Sequence, residues 1–126
     1  MIMATSVEES FLQACKDGDL ETVRLCLGRN VDVNLAGGWP LRRAVRYNHP
    51  HVWQHLLDQP NIQANLANKH GLTALHTAAR FNVPQAAKDV LQRPDVKVNS
   101  RSQLGCSPVM VAAKYASLDA LQVKLN

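Results

Sequence analysis

A short, mainly hydrophobic segment rich in alanine recurs along this chain in one fixed frame. The segment at 73–79, Thr-Ala-Leu-His-Thr-Ala-Ala, is matched by 39–45 and by 107–113, each displaced by 34 residues, and 11–15 falls 30 residues before 41–45. A second series keeps the same frame and consists of Leu27, Leu57, Leu91 and Leu125. Because two independent series share the same spacing, the chain is predicted to consist of internal repeats.

Each copy has the spacing of two short helices. Leu75, Ala78 and Ala79 share one face of the first helix, and small side chains there allow neighbouring helices to approach closely. The second helix is expected to begin at a capping residue or a proline, since both suit a first helical turn. These starts are Asp19, Pro50, Pro84 and Ser117. A polar loop containing Gly or Asn then leads to the next copy, so the pattern predicts an all-α array.

The segment Thr73-Ala74-Leu75-His76-x-Ala78 resembles the Thr-Pro-Leu-His-x-Ala signature of the ankyrin repeat. The resemblance covers the chain from about residue 11 onwards. It implies an all-α solenoid of stacked helix-turn-helix repeats with projecting hairpin loops, a protein-binding function and no enzymatic activity. The expected organisation is an N-terminal extension at 1–10 and repeats at about 11–38, 39–70, 71–104 and 105–126, the last one incomplete.

The second copy departs from the signature. The loop before it is shorter than the later ones, so the hairpin near Gly37 and Gly38 is expected to be blunted. Trp39 replaces the capping threonine, and its ring either folds over the adjacent helix or forms an exposed anchor for a partner. The histidine of the signature, His76 in the third copy, is replaced by Arg42 in the second and Met110 in the fourth. A complete hydrogen-bonded turn is therefore expected only in the third copy, around Thr73 and His76.

The two positions that directly follow the alanine pair of each copy (Ala78 and Ala79 in the third) define a candidate partner surface, called the basic–aromatic ladder. Its basic members are Lys16, Arg46, Arg80 and Lys114, and its aromatic members are Tyr47, Phe81 and Tyr115. The resemblance places these positions on the concave face. Arg43 and Thr77, on the same helices, are further partner-binding candidates, and Trp39, Lys69 and Arg101 are secondary ones. The alternative is that the ladder is only a solvated face.

Composition and charge limit the possible functions. The chain has 126 residues, of which 46% are hydrophobic and 19% charged, so it is too apolar for a disordered tail. Its net charge of +4 is uneven, because residues 35–126 hold eleven basic and four acidic side chains. This balance favours an acidic partner. Three cysteines without paired spacing and the absence of a long apolar run favour a cytoplasmic or nuclear location.

Few residues suggest other chemistry. His51 and His55 share a helix face with His49 nearby, but no carboxylate or cysteine accompanies them, so no metal site is predicted. Cys15 is expected in the core and His76 in a hydrogen-bonded turn. The sequence therefore predicts no cofactor, small-molecule substrate or catalytic residue.

The main hypothesis is an interaction module that binds an acidic or phosphorylated peptide, or an acidic patch of another protein, on its concave face. The alternatives are electrostatic association with nucleic acid or anionic lipid, a regulatory subunit that blocks an enzyme, and a fragment of a longer scaffold array. The first alternative is disfavoured because the net charge is modest and Lys/Arg runs are absent. The oligomeric state and the identity of the partner are undetermined by the sequence.

Overall fold

The computed structural model describes residues 6–114 of the chain, and their side chains as far as residue 111. This part of the chain contains helices and no strands, which confirms the predicted all-α class. The helices are α1 (Val7–Asp17), α2 (Leu20–Gly28), α3 (Leu35–Arg46), α4 (Pro50–Leu57), α5 (Ala74–Arg80), α6 (Pro84–Leu91) and α7 (Pro108–Lys114). The predicted second helix of the fourth copy, with its cap at Ser117, lies outside the described residues.

The helices form two layers. The inner layer stacks α1 on α3, α3 on α5 and α5 on α7, whereas the outer layer stacks α2 on α4 and α4 on α6. Inner helices α1, α3 and α5 also pack on the outer helices that follow them, α2, α4 and α6. A single apolar cluster runs from Phe11 to Val90 through both layers. Each pair therefore buries its apolar side against the next pair, as expected for a solenoid.

The periodic alanines have a backbone role as well as a packing role. Inner helices α1, α3 and α5 are each followed by a residue with left-handed φ: Gly18 at 78°, Asn48 at 60° and Asn82 at 54°. The next N–H group then donates back to an alanine carbonyl. These hydrogen bonds are Asp19 to Ala14 (3.0 Å), His49 to Ala44 (2.9 Å) and Val83 to Ala78 (2.9 Å). This Schellman-type closure reverses the chain at the same place in each repeat.

Asparagines recur at one position of the repeat, Asn34, Asn65 and Asn99, and the first two of them join consecutive repeats. The Asn34 side-chain amide donates to the Asn61 carbonyl (2.8 Å), and its oxygen accepts from the Gln63 N–H (2.8 Å). The Asn65 amide repeats the arrangement one copy later, with the Asp95 carbonyl (2.7 Å) and the Lys97 N–H (2.8 Å). An amide supplies one donor and one acceptor to the neighbouring loop, which explains why asparagine recurs at this register.

The outer helices are linked by a buried indole. Trp53 is fully buried, and its Nε1–H donates to the Asp89 carboxylate (2.7 Å) on the next outer helix. The same carboxylate accepts hydrogen bonds from Gln54 and Gln85. A carboxylate with three donors satisfies the polar end of the indole while the ring stays in the core.

Two hairpin loops project on the inner side, finger two (residues 66–72) and finger three (residues 100–106). Finger two closes through the Asn68 N–H, which donates to the Leu72 carbonyl (3.0 Å). Finger three is tied to it, because the Gln103 N–H donates to the His70 carbonyl (2.8 Å) and the Gln103 amide donates to the Lys69 carbonyl (2.6 Å).

The first hairpin is blunted as predicted. Ala36, Gly37 and Gly38 have left-handed φ values, so α3 has a tight turn at its start instead of a finger. A Cβ atom on Gly38 would lie 2.8 Å from the Leu66 Cβ, so this position has no room for a side chain. The base of finger two therefore packs closely against the start of α3. None of the helices in the described range has the length and apolarity that crossing a membrane requires.

Candidate functional site

Five described members of the basic–aromatic ladder form a continuous stack of cations and rings across three repeats. The Lys16 ammonium lies 5.5 Å from the centre of the Tyr47 ring, and the Arg46 guanidinium lies 5.3 Å from the same ring. Arg46 also lies 5.1 Å from the Phe81 ring, and Arg80 lies 5.1 Å from that ring. All these distances fall within the range for cation–π contacts. The five side chains are therefore linked by an unbroken series of cation–π contacts.

The end of each inner helix places these residues. Arg46 and Arg80 are the last residues of α3 and α5, and Tyr47 and Phe81 are the C-caps that follow them. A cation at a helix C-terminus is stabilised by the helix dipole, which suits arginine at this position. The aromatic residue of each repeat then meets the cation of the repeat before it, since the inner helices stack directly on one another.

An open groove of about 660 Å³ lies between the ladder and finger two. Its lining includes four members of the ladder, which are Arg46, Tyr47, Arg80 and Phe81. It also includes the other predicted candidates Arg43, Thr77, Trp39 and Lys69, together with residues of finger two. The lining residues are Ala36, Trp39, Arg42, Arg43, Arg46, Tyr47, Asn68, Lys69, His70, Leu72, His76, Thr77, Arg80, Phe81 and Val111. This space is called the inner groove below.

Trp39 and Arg43 form a second stack at one wall of the inner groove. The Arg43 guanidinium lies 4.4 Å from the Trp39 ring, and its Nη1 donates to the Leu12 carbonyl (3.0 Å) of the preceding repeat. Trp39 is 42% exposed, so the ring is open to the groove and is not buried over a helix. The indole is held in place by the arginine, which favours the exposed-anchor interpretation of this residue.

Arg42 lies at the floor of the groove and was not predicted as a site residue. It is buried, and its Nη1 donates to the carbonyls of Gly37 (2.6 Å) and Leu66 (3.3 Å). Burial lowers the pKa of the Arg42 guanidinium from its ordinary value. Its register is that of His76, one repeat later, whose Nε2 meets the Cys106 carbonyl (2.8 Å) of the following finger. Arg42 thus links its helix to the next finger, as His76 does.

The complete turn predicted for the third copy is present. The Thr73 hydroxyl caps α5, and the Thr73 N–H donates to His76 Nδ1 (3.1 Å). Because Nδ1 accepts this bond, the proton of neutral His76 resides on Nε2 and is donated to the Cys106 carbonyl. Burial lowers the pKa of His76, which keeps the ring neutral.

The charged residues that line the inner groove are all basic. They are Arg42, Arg43, Arg46, Lys69 and Arg80, and no Asp or Glu is among the described lining residues. Asp89, an acidic residue of the outer layer, accepts hydrogen bonds from Trp53 and two glutamines. The described lining of the groove is therefore basic and lies next to half-exposed rings.

Some predicted residues lie apart from the groove. Lys16 does not line it but continues the ladder through Tyr47. The Arg101 guanidinium donates to the Gly105 carbonyl (2.8 Å) within finger three. The Lys114 side chain and Tyr115 lie outside the described residues. Thr77 lines the groove, although its hydroxyl donates to the Thr73 carbonyl (3.1 Å) of its own helix.

The other chemistry-bearing residues have structural partners. The His49 ring meets the Lys16 carbonyl through Nε2 (2.7 Å) and packs over Gly18. In the described range, no three His, Cys, Asp or Glu side chains converge to form a metal site. Burial raises the pKa of the Cys15 thiol to about 12, so this cysteine is a poor nucleophile at neutral pH.

A comparison of the sequence with protein-family models agrees with this architecture. A family model describing ankyrin repeats (3 copies) matches residues 11–102 and 41–125. The chain belongs to the ankyrin-repeat family. A search of curated proteins found no match. Ankyrin repeats are generally protein–protein interaction modules, and ankyrin-repeat domains are typically non-enzymatic.

The ankyrin architecture also explains which groove residues sequence reasoning missed. Arg42, Asn68, His70 and Leu72 enter the lining because finger two folds back towards α3. The one available signal was the register of Arg42, which coincides with the inward-facing His76. No comparable signal marked the finger residues, because their position depends on contacts between repeats.

Proposed function

We propose that this ankyrin-repeat protein binds an acidic segment of another protein in its inner groove. The observation that carries the proposal is the lining of the groove, which has five cationic side chains and no described acidic one. An anionic ligand would find complementary charge along the whole inner side of helices α3 and α5.

Charge alone gives little affinity. An exposed ion pair contributes about 0.2–1 kcal/mol, so the cations would mainly orient and attract the ligand. Apolar contact would come from Trp39, Tyr47 and Phe81, which are 42%, 38% and 37% exposed. Aromatic rings that are already fixed by stacked arginines lose little side-chain entropy on binding, which is the property of interface anchors.

A selection from a random peptide display library tests the proposal. The wild-type chain is expected to enrich peptides rich in Asp and Glu, and Arg46→Glu, alone or with Arg80→Glu, is expected to lose them. The matched controls are Arg24→Glu, alone or with Lys88→Glu, because both residues are exposed on outer helices. The controls remove the same charge away from the groove and are expected to retain the selected peptides.

Circular dichroism of each variant separates loss of binding from loss of folding. A neutral or basic consensus among the selected peptides would refute an acidic partner. Equal enrichment by wild-type and Arg46→Glu chains, both of them folded, would show that the inner groove is not the binding surface.

The same variants address electrostatic association with nucleic acid. Such binding would weaken steeply with salt and would depend on total charge, so Arg24→Glu would reduce it about as much as Arg46→Glu. A retardation assay with duplex DNA at two salt concentrations measures this. Binding through the groove instead predicts a loss that is specific to Arg46.

A further inference from the structure

Helix α3 arranges aromatic rings and cations in one stripe along its inner side. Arg43 is four residues after Trp39, and Arg46 is three residues after Arg43, so the three side chains share one face of the helix. The helix rises about 1.5 Å per residue, which places Arg46 about 10.5 Å from Trp39 along its axis. Tyr47 follows Arg46 as the C-cap, and all four residues line the inner groove. The stripe therefore has a ring at each end and two arginines between the rings.

The Trp39 end of the stripe is anchored to the preceding repeat. The Arg43 guanidinium lies over the Trp39 ring, 4.4 Å from its centre, and donates a hydrogen bond to the Leu12 carbonyl (3.0 Å). The arginine thus holds the indole in one orientation, while part of the ring remains exposed to the groove. A side chain that is held in place before binding loses little entropy when a partner packs on it.

Trp39 does not serve the repeat framework at its position. Its register is that of Thr73, which is buried and whose hydroxyl caps α5. The indole nitrogen only donates hydrogen bonds, so it cannot accept the bond that a capping threonine accepts from a helix N–H group. Trp39 therefore replaces a stabilising cap with an exposed ring, and this exchange favours a role in binding.

The Tyr47 ring forms the other end of the stripe. Its centre lies 5.5 Å from the Lys16 ammonium and 5.3 Å from the Arg46 guanidinium, and the residue is exposed. Each end of the stripe thus offers the surface of an aromatic ring, whereas its middle carries the charge of Arg43 and Arg46. A ligand that complements the whole stripe is apolar at both ends and anionic in the middle.

We propose that the acidic segment of the partner carries a large apolar side chain on each side of its acidic residues. One apolar side chain packs on Trp39 and the other on Tyr47, while the acidic residues between them meet Arg43 and Arg46. Apolar contacts at both ends also exclude water from the ion pairs, which are weak when they are exposed. The inference rests on the proposed function, and it assigns Trp39 and Tyr47 the selection among acidic segments.

A peptide display library with a fixed Glu-Glu-Glu core and randomised positions on both sides tests this pattern. The wild-type chain is expected to enrich large apolar residues on both sides of the core. Trp39→Ala is expected to lose the enrichment on one side and Tyr47→Ala on the opposite side, because the two rings lie at opposite ends of the stripe. The matched control is Leu25→Ala, which removes an exposed apolar side chain from outer helix α2 and is expected to retain both.

Fluorescence anisotropy with the full chain measures the size of the effect. A synthetic peptide with a Leu-Glu-Glu-Glu-Leu core is expected to bind about tenfold more tightly than its Ala-Glu-Glu-Glu-Ala counterpart, since partial burial of each leucine contributes about threefold. Trp39→Ala is expected to reduce this advantage to about threefold and to leave the affinity for the alanine peptide unchanged, because Arg43 keeps its hydrogen bond to Leu12. Circular dichroism checks that each variant is folded.

The outcomes also separate this inference from the proposed function. If the leucine and alanine peptides bind equally and both lose affinity in Arg46→Glu, the acidic-partner proposal stands and the two apolar anchors are refuted. Loss of enrichment on the same side in Trp39→Ala and Tyr47→Ala would likewise overturn the assignment of one anchor to each ring. If neither acidic peptide binds the wild-type chain, both proposals fail.

Discussion

His76 is predicted to make the stability of this protein sensitive to acid. Its Nδ1 accepts a hydrogen bond from the Thr73 N–H, and its Nε2 meets the Cys106 carbonyl, so the folded chain requires the neutral ring. Burial lowers the pKa of His76 below its ordinary value of 6.5. The unfolded chain therefore binds the proton more tightly, and acidification favours unfolding.

The sign and the size of the effect follow from this arrangement. Above pH 6.5 the ring is neutral in both states and its contribution to the free energy of unfolding is fully present. Below that value the contribution is lost progressively until the folded-state pKa is reached, at no more than about 1.4 kcal/mol per pH unit for one proton. His76→Ala loses both hydrogen bonds and leaves the buried Thr73 N–H unpaired, which costs about 2–4 kcal/mol. His76→Asn retains an acceptor close to the position of Nδ1 and is expected to cost about 1–2 kcal/mol.

Urea unfolding monitored by circular dichroism between pH 7.5 and pH 5 measures both effects. The wild-type midpoint is expected to fall with acid more steeply than the His76→Asn midpoint, because Asn does not titrate. The two midpoints should converge as the pH falls. If they instead decrease in parallel over the whole range, the acid sensitivity has another origin and the assignment of a neutral His76 is wrong.

Three other predictions concern the repeat framework. Asn65→Ala removes two hydrogen bonds between repeats and is expected to lower the free energy of unfolding by about 1–3 kcal/mol in urea; an unchanged midpoint would contradict the bridging role. Gly18→Ala forces a Cβ into the His49 ring at a left-handed φ of 78°, so a loss of at least about 2 kcal/mol is expected in the same assay, whereas Gly28→Ala, in open space, is the control. Cys15 is expected to resist thiol labelling at pH 8 in the folded chain and to react after unfolding, since burial raises its pKa to about 12; rapid labelling of the native protein, mapped by mass spectrometry, would contradict this.

The repeat and its helices could be predicted because their causes are local. Alanine, leucine and asparagine recur in one frame, and each marks a requirement that every copy must meet. The structure gives the reasons: Ala78 accepts the chain-reversing hydrogen bond and packs in the core, while Asn65 joins the next loop. A requirement repeated in every copy leaves a periodic signal, and periodicity is visible without coordinates.

The groove was less predictable because it depends on differences between copies. Arg42 was identified only as a replacement for the histidine of the signature, and its contacts with Gly37 and Leu66 require knowledge of where finger two lies. The left-handed turn at the start of α3 packs against finger two, and this contact too depends on the stacking of the repeats. A feature that occurs once along the chain produces no periodic signal in the sequence. Its geometry can therefore be seen only in the structure, where the repeats are stacked.

The order of the ladder connects binding to the integrity of the array. Each ring is contacted by cations from two repeats: Tyr47 by Lys16 and Arg46, and Phe81 by Arg46 and Arg80. Slippage between neighbouring repeats would separate these pairs and disrupt the surface. A ligand that contacts the ladder residues of several repeats binds only when those repeats are stacked. It must therefore raise the free energy of unfolding of the stacked array, by RT ln(1 + [L]/Kd). A partner that contacts the ladder residues of one repeat would stabilise only the contacts of that repeat, because stability in a solenoid depends mainly on the interfaces between adjacent repeats.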